Sequence, residues 1–228
     1  MISLSIGDIR SRINDAALKK GCNPEDIILL AATKKVSSEL IREAINNGIS
    51  HFGENKVQEA ILKIDSIGRS VSWHMIGHLQ TNKAKKAVEA FDVIQSLDSF
   101  HLAESLDKYA KQLGKKQVCL VEINIGGEES KFGVNPEELI EFLNRCNTLQ
   151  SIEIQGLMTI TPYFEDKEKA RPYFKKMNEL FQKCGNKLVH ANVKMKFLSM
   201  GMSGDFEAAI EEGSNMVRIG TAIFGERN

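Results

Sequence analysis

The sequence predicts an α/β fold: a single (β/α)8 barrel of the TIM type with one extra helix at the amino end. Three observations predict it. Short apolar runs alternate with amphipathic helical stretches through all 228 residues, and that alternation builds a parallel sheet. The connections are short, with no Pro/Gly/Ser-rich linker, internal repeat or low-complexity segment. Eight such units within one domain's length favour a closed barrel over an open sheet. One domain is expected over 1–228, with the extra helix at about 5–20 and the barrel at about 27–225.

Residues 6 to 20 place Ile6, Ile9, Ile13, Ala16, Ala17 and Leu18 at helical spacing among charges. After the Asn23-Pro24-Glu25-Asp26 turn, Ile27-Ile28-Leu29-Leu30-Ala31-Ala32-Thr33 reads as a buried parallel strand running into Lys34-Lys35. Ser37 can cap a helix carrying Leu40, Ile41, Ala44 and Ile45, and Gly48 can end it. A second strand covers 49–52, and its helix carries Val57, Ala60, Ile61 and Ile64. The third strand is 71–77, followed by a basic helix from about Asn82; the fourth is 91–98, followed by a helix over 99–113. The fifth is 117–125, and Pro136 fits the first turn of a helix holding Leu139, Ile140, Phe142 and Leu143. The sixth strand is 152–159, with Pro162 in the loop after it and a long helix over roughly 166–184. Strands at 196–199 and 216–219, with a helix near 205–212 between them, complete the set.

Composition excludes several function classes. Thirty basic residues balance thirty acidic ones, so net charge argues for neither nucleic acid nor a membrane surface as partner. No run approaches the roughly 18 apolar residues of a membrane span, and the amino terminus lacks the basic-then-apolar order of a signal peptide. Cys22, Cys119, Cys146 and Cys184 are scattered, with no Cys-x-x-Cys pair, which suits reduced cysteines in a cytoplasmic protein and no metal site.

In a barrel, chemistry sits at the carboxyl ends of the strands. Those ends carry Lys34, Asn55, the Gly77-His78 turn, Asn124, Met158-Thr159, Ser199-Met200-Gly201 and Gly220-Thr221. A lysine held there against apolar walls loses hydration, which lowers its pKa and suits imine chemistry; the plainer alternative is that Lys34 and Lys35 mark a solvated strand end. Strands seven and eight are the usual source of a barrel phosphate site, and Gly220-Thr221 opens a short helix whose amides favour an anion. The alternative is that these glycines merely turn the chain. Arg218 lies within the last strand; pointing inward it asks for an anion or an acceptor nitrogen, and pointing outward it can pair with an acid such as Glu212. His74 can stack on a ring or be satisfied structurally, and Met158 can touch a ligand or fill the core. The Lys83-Ala84-Lys85-Lys86-Ala87 run reads as a solvated helix face. Lysine, phosphate cradle and arginine together describe pyridoxal 5′-phosphate well, and a Schiff-base aldolase acting on a sugar phosphate would use the first two parts.

The stretches Ala31-Ala32-Thr33-Lys34, Phe52-Gly53-Glu54-Asn55-Lys56-Val57-Gln58-Glu59, Trp73-His74-Met75-Ile76-Gly77-His78-Leu79-Gln80-Thr81-Asn82-Lys83, Gly156-Leu157-Met158, Leu198-Ser199-Met200-Gly201-Met202-Ser203 and Val217-Arg218-Ile219-Gly220-Thr221-Ala222-Ile223-Phe224-Gly225 carry a resemblance. Together they resemble the pyridoxal phosphate homeostasis proteins, also called the proline synthetase co-transcribed family, over nearly the whole chain. That family is similar in fold to the barrel domain of alanine racemase. The resemblance implies that Lys34 holds pyridoxal phosphate as a Schiff base, that Ser199, Met200, Gly201, Gly220 and Thr221 surround the phosphate, and that Arg218 faces the pyridine nitrogen. It places Asn55, His74 and Met158 around the ring, and Asn124, Glu128, Ser130, Lys131 and Gly133 in a loop at the mouth. Val36-Ser37 and Glu129 depart from the family's frequent residues, away from the cofactor contacts.

A guanidinium only donates hydrogen bonds, so an arginine at the ring nitrogen keeps that nitrogen unprotonated and weakens the electron sink. Racemisation further needs an acid/base on each face. In the racemases that resemble this fold, the second base is a tyrosine from an added domain of the partner subunit; here the sequence ends nine residues after Ile219, and Tyr163 alone falls near a strand's carboxyl end. The expected function is therefore binding and homeostasis of pyridoxal phosphate by a cytoplasmic monomer, with delivery to apoenzymes. The alternative is a weak monomeric amino-acid racemase.

Overall fold

Parallel pairing of eight short strands closes a barrel in sequence order, as a computed structural model describing residues 2–128, 131–187 and 191–226 shows. The strands are β1 (Ile28–Ala32), β2 (His51–Glu54), β3 (Ser72–Met75), β4 (Val93–Leu97), β5 (Gln117–Glu122), β6 (Ile152–Met158), β7 (Val193–Met202) and β8 (Met216–Ile219). Closure is made by β1 against β8, with Leu30 opposite Arg218. The helices are α1 (Ile2–Lys20), α2 (Ser38–Asn46), α3 (Val57–Ile67), α4 (Ala84–Ala90), α5 (Phe100–Gln112), α6 (Leu139–Cys146), α7 (Arg171–Lys187), α8 (Phe206–Glu211) and α9 (Thr221–Phe224).

The expected elements are present with shifted ends, β2 at 51–54 rather than 49–52 and α7 from Arg171 rather than about 166 among them, and three further shifts concern β1, α6 and β7. β1 stops at Ala32, so Lys34 and Lys35 belong to the turn after it rather than to the strand. α6 begins at Leu139, and Pro136 sits in the preceding turn, where Asn135 Oδ1 accepts the Glu137 amide at 3.1 Å. Such an Asx turn competes with helix for the same backbone groups. β7 spans 193–202, more than twice the expected length, because its pairing with β6 and with β8 shifts register along the way. Gly156 permits that irregularity: its φ is +149°, and a Cβ there would lie 1.8 Å from the Phe197 carbonyl oxygen.

Most of the apolar core lies between barrel and helices, where Phe52, Trp73, Ile94, Leu157, Phe174 and Val217 are all buried. α1 joins this layer through the stripe Ile2, Ile6, Ile9, Ile13, Ala16 and Ala17, against α8 and α9. The barrel interior is different. Leu30, Ile76 and Met216 form a small separate cluster there, and much of the remaining space is polar.

Candidate cofactor site at the carboxyl ends of the strands

Residues 33–36 form a tight turn closed by the Val36 amide donating to the Thr33 carbonyl at 2.9 Å. Lys35 adopts φ +58°, and it is the one described non-glycine residue in the left-handed region. A β-carbon is disfavoured there by roughly 1–2 kcal/mol, so neighbouring contacts must impose the conformation. They do so from beneath the turn. The Lys35 amide donates to Glu59 Oε1 at 2.6 Å. Lys63 Nζ donates to the Thr33 carbonyl at 2.6 Å and to Glu54 Oε1 and Glu59 Oε1 at 2.7 Å each. Thr33 Oγ1 donates to Glu54 Oε1 at 2.5 Å. Glu54 is wholly buried and Lys63 nearly so, and burial pushes the Glu54 carboxyl up while Lys63 and Thr33 oppose it. This network thus fixes the main chain on both sides of Lys34, whose own side chain is exposed at the mouth rather than enclosed by apolar walls.

Arg218 points inward. Its Nη1 donates to Ser199 Oγ and its Nη2 to the Thr159 carbonyl, both at 2.7 Å. Burial draws its pKa down to about 10, with Glu122 and Asp205 opposing. The outward alternative does not occur, and Glu212 pairs instead with Arg171. Below Arg218 a chain of hydrogen bonds crosses the barrel. Ser199 Oγ donates to Gln95 Oε1 at 2.7 Å, which leaves Gln95 Nε2 to donate to His74 Nδ1 at 2.9 Å. His74 therefore carries its proton on Nε2, facing His51 Nδ1 at 3.0 Å and Ser72 Oγ at 3.1 Å. Burial, then His51, pull the His74 pKa down to about 3, so the imidazole is neutral.

Two cavities open at the mouth and share Lys131 and Ile160 in their walls. The larger, about 590 Å³, is lined among others by Ala32, Arg218, Gly220, Thr221, Ser203 and Tyr163. In its wall the amides of Gly220 and Ala222 converge on Ser203 Oγ at 3.3 and 3.4 Å. These bonds are long for backbone donors, whose usual distance is about 2.9 Å, so two amides and a hydroxyl remain available to an anion's oxygens. Asp205 Oδ1 accepts the Met202 amide at 2.7 Å and holds the loop that presents Ser203. Gly201 turns that loop with φ +93°; a Cβ there would lie 2.6 Å from the Ala209 Cβ. The smaller cavity, about 250 Å³, is walled by Asn55, Ile76, Gly77, His78, Glu122, Asn124 and Phe132. His78 stacks on Phe132 with ring centroids 3.4 Å apart and lies 2.9 Å from Asp98.

Of the residues singled out in the sequence, Arg218, Gly220 and Thr221 thus share one cavity and Asn55 lines the adjoining one. Lys34, two residues beyond Ala32, is exposed and is not among the residues lining either cavity. Ser199, His74 and Met158 are buried inside the protein and line neither cavity, and Met200 packs in the layer between barrel and helices. Asn124, Lys131 and Gly133 lie in the loop after β5, where Lys131 pairs with Glu128 at 2.6 Å; Glu129 and Ser130 fall outside the described residues. Tyr163 is 90% exposed. The residues sequence reasoning passed over are Lys63, Glu59, Glu122, Gln95 and Ser203. Lys63 and Glu59 share a helix face at i, i+4 and look like an ordinary surface pair. The one signal against that reading was a lysine among the apolar positions of α3.

The model for the N-terminal domain of alanine racemase matches residues 24–228. The pyridoxal phosphate homeostasis protein of Aquifex aeolicus is 44% identical over 220 residues, covering 96% of this chain and 95% of that one. This chain belongs to the pyridoxal phosphate homeostasis protein family. Another member, from Escherichia coli K12, is 39% identical over 236 residues, covering 100% of this chain and 97% of that one. The full architecture is shared with PipY of Synechococcus elongatus PCC7942, solved with pyridoxal phosphate bound, which superposes with a TM-score of 0.85 at 34% identity, covering 99% of this chain and 100% of PipY. Alanine racemase of Clostridium difficile 630 shares the barrel, with a TM-score of 0.70 at 20% identity over 96% of this chain and 56% of the racemase.

Proposed function

We propose that this chain binds pyridoxal 5′-phosphate covalently through Lys34 and serves cofactor homeostasis, handing the cofactor on to apoenzymes, without a committed reaction of its own. The observation that carries this reading is the larger mouth cavity, where Ala32 at the foot of the Lys34 turn, the buried Arg218 and the amide–hydroxyl cluster at Ser203 line one space. Family membership and the cofactor-bound PipY support the same reading.

When bound, pyridoxal phosphate supplies an aldehyde that condenses reversibly with a primary amine. The chain's residues would act on it in three places. The Gly220 and Ala222 amides, with Ser203, would take the phosphate oxygens. Arg218, anchored by Ser199 and Thr159, would donate towards a facing pyridine nitrogen and hold it unprotonated, which weakens the electron withdrawal that decarboxylation requires. The Lys63–Glu54–Glu59 network would keep Lys34 projecting from a fixed turn. Tyr163, the tyrosine nearest the mouth, is solvated and lacks the enclosure that a second base for racemisation needs.

Four free cysteines suit a reducing compartment such as the cytoplasm. The decisive experiment is borohydride reduction of the cofactor-loaded chain followed by peptide mapping. The pyridoxyl label is expected on Lys34; label on Lys35 or Lys131, or no label, overturns the assignment.

A further inference from the structure

Two residues that line the smaller mouth cavity carry buried acceptors that no described residue satisfies. Glu122 ends β5 with its side chain in this cavity and is only 8% exposed, yet its Oε2 is buried without a hydrogen-bond partner. Asn124 Nδ2 donates to the carbonyls of Glu128 and Lys131, which fixes the amide so that Oδ1 is the atom left over, and Oδ1 too is buried without a partner. A buried acceptor left unmade costs about 1–3 kcal/mol, and more when it is charged. Both residues line the cavity, so two unmade acceptors lie close behind one wall, where a donor would satisfy them.

The lysine lining this cavity and the nearby Arg218 have bonds elsewhere. Lys131 Nζ is held by Glu128 Oε1 at 2.6 Å and lies 3.5 Å from the Thr161 carbonyl, and Arg218 is anchored on Ser199 and Thr159. The other groups facing Glu122 are Asp98, whose charge opposes ionisation of Glu122, and His78, which lies against Asp98. Burial and Asp98 together hold Glu122 up to about 7, against Arg218. A volume of about 250 Å³ is below the range of drug-sized pockets, and it suits a group the size of an amino-acid side chain. The stacked His78 and Phe132 rings give it an apolar wall.

We propose that this cavity is a subsite for the ammonium group of an incoming primary amine, such as an amino acid or a lysine side chain of an acceptor protein, with Glu122 as the group that binds it and takes its proton. The proposal rests on the cofactor reading above and adds the amine that would displace Lys34. The proton step is R–NH3+ plus Glu122 carboxylate giving R–NH2 plus Glu122 carboxylic acid, with no change of oxidation state. The free amine then takes the place of Lys34 Nζ at the same carbon, and the proton on Glu122 is available to the departing lysine. Deprotonation inside the cavity matters because an alkylammonium, pKa about 10, is almost wholly protonated at neutral pH and is not a nucleophile.

Two arms test this with n-propylamine as the probe. In the chain without cofactor, carboxyl-13C glutamate labelling should show one resonance, absent in Glu122→Gln, that titrates near neutral pH and shifts on adding propylammonium chloride but not sodium chloride. In the cofactor-loaded chain at fixed total propylamine, release of cofactor should rise with pH and level off above about 7, where Glu122 is ionised. Glu122→Gln should slow it at least tenfold and remove the levelling, leaving only the tenfold rise per pH unit of the free amine in solution, and Glu122→Asp should restore part of both. An unshifted Glu122 resonance, or a Glu122→Gln release rate and pH profile equal to the parent's, overturns the proposal. Should Glu122→Gln fail to fold, the resonance is assigned through Glu122→Asp and the same salt comparison decides. Failure of the borohydride labelling at Lys34 overturns the cofactor reading alone, since the resonance arm uses no cofactor.

Discussion

His74 and Glu122 sit in the same barrel with their protons held in opposite senses. His74 is neutral in the fold, with its pKa near 3 against an ordinary 6.5, so the unfolded chain binds the extra proton and stability is lost as pH falls from about 6.5 towards 3. Glu122 is raised to about 7 from an ordinary 4.5, so the folded chain binds the extra proton and stability is lost as pH rises from about 4.5 to 7. The full effects are on the order of 5 and 3 kcal/mol respectively, and between pH 4.5 and 6.5 they largely cancel. Single substitutions should unmask each one. In urea unfolding across that interval, Glu122→Gln should grow more stable with rising pH, and His74→Asn should grow less stable. Parallel pH profiles for the two variants would refute the assignment of these protons.

At the scale of the element, the turn after β1 shows what was legible in the sequence and what was not. The strand, its apolar run and the lysine at its end are local features and could be read directly. The conformation of that turn could not, because Glu54, Glu59 and Lys63 reach it from β2 and α3, and pairwise contacts between elements leave no local pattern. Ser203 was missed for a related reason: Ser199 and Ser203 both follow the seventh apolar run, and only the register of β7 decides which hydroxyl reaches the mouth. Lys63→Met should cost about 3–5 kcal/mol, because it leaves Glu54 buried without its cation. Adding Glu54→Gln should recover a large part of that loss. Chemical denaturation of the single and double variants measures the coupling, and additive losses would mean that Lys63 acts mainly through its other bonds.

For the molecule as a whole, helical periodicity and strand alternation were enough to give the order of elements, since each unit's apolar face can be covered only by its neighbours in a closed ring. α1 stands outside that logic. It precedes the residues matched by the racemase-domain model, yet it buries four isoleucines against the barrel's outer layer and ties itself to α8 through Arg12 and Glu207 at 2.6 Å. Ile9→Ala should lower stability by about 2–5 kcal/mol, as for other fully buried aliphatic truncations. A change below 1 kcal/mol in thermal or urea unfolding would show that α1 is dispensable. The interior has an order of its own. From Arg218 through Ser199, Gln95 and His74, every donor points the same way, from the mouth towards the opposite end of the barrel where His51 lines another cavity. A row of bonds so aligned has a head and a tail, and reversing any member requires reversing those beyond it. The nitrogen-15 tautomer state of His51 therefore reports which way the whole row runs, readable from the end away from the mouth.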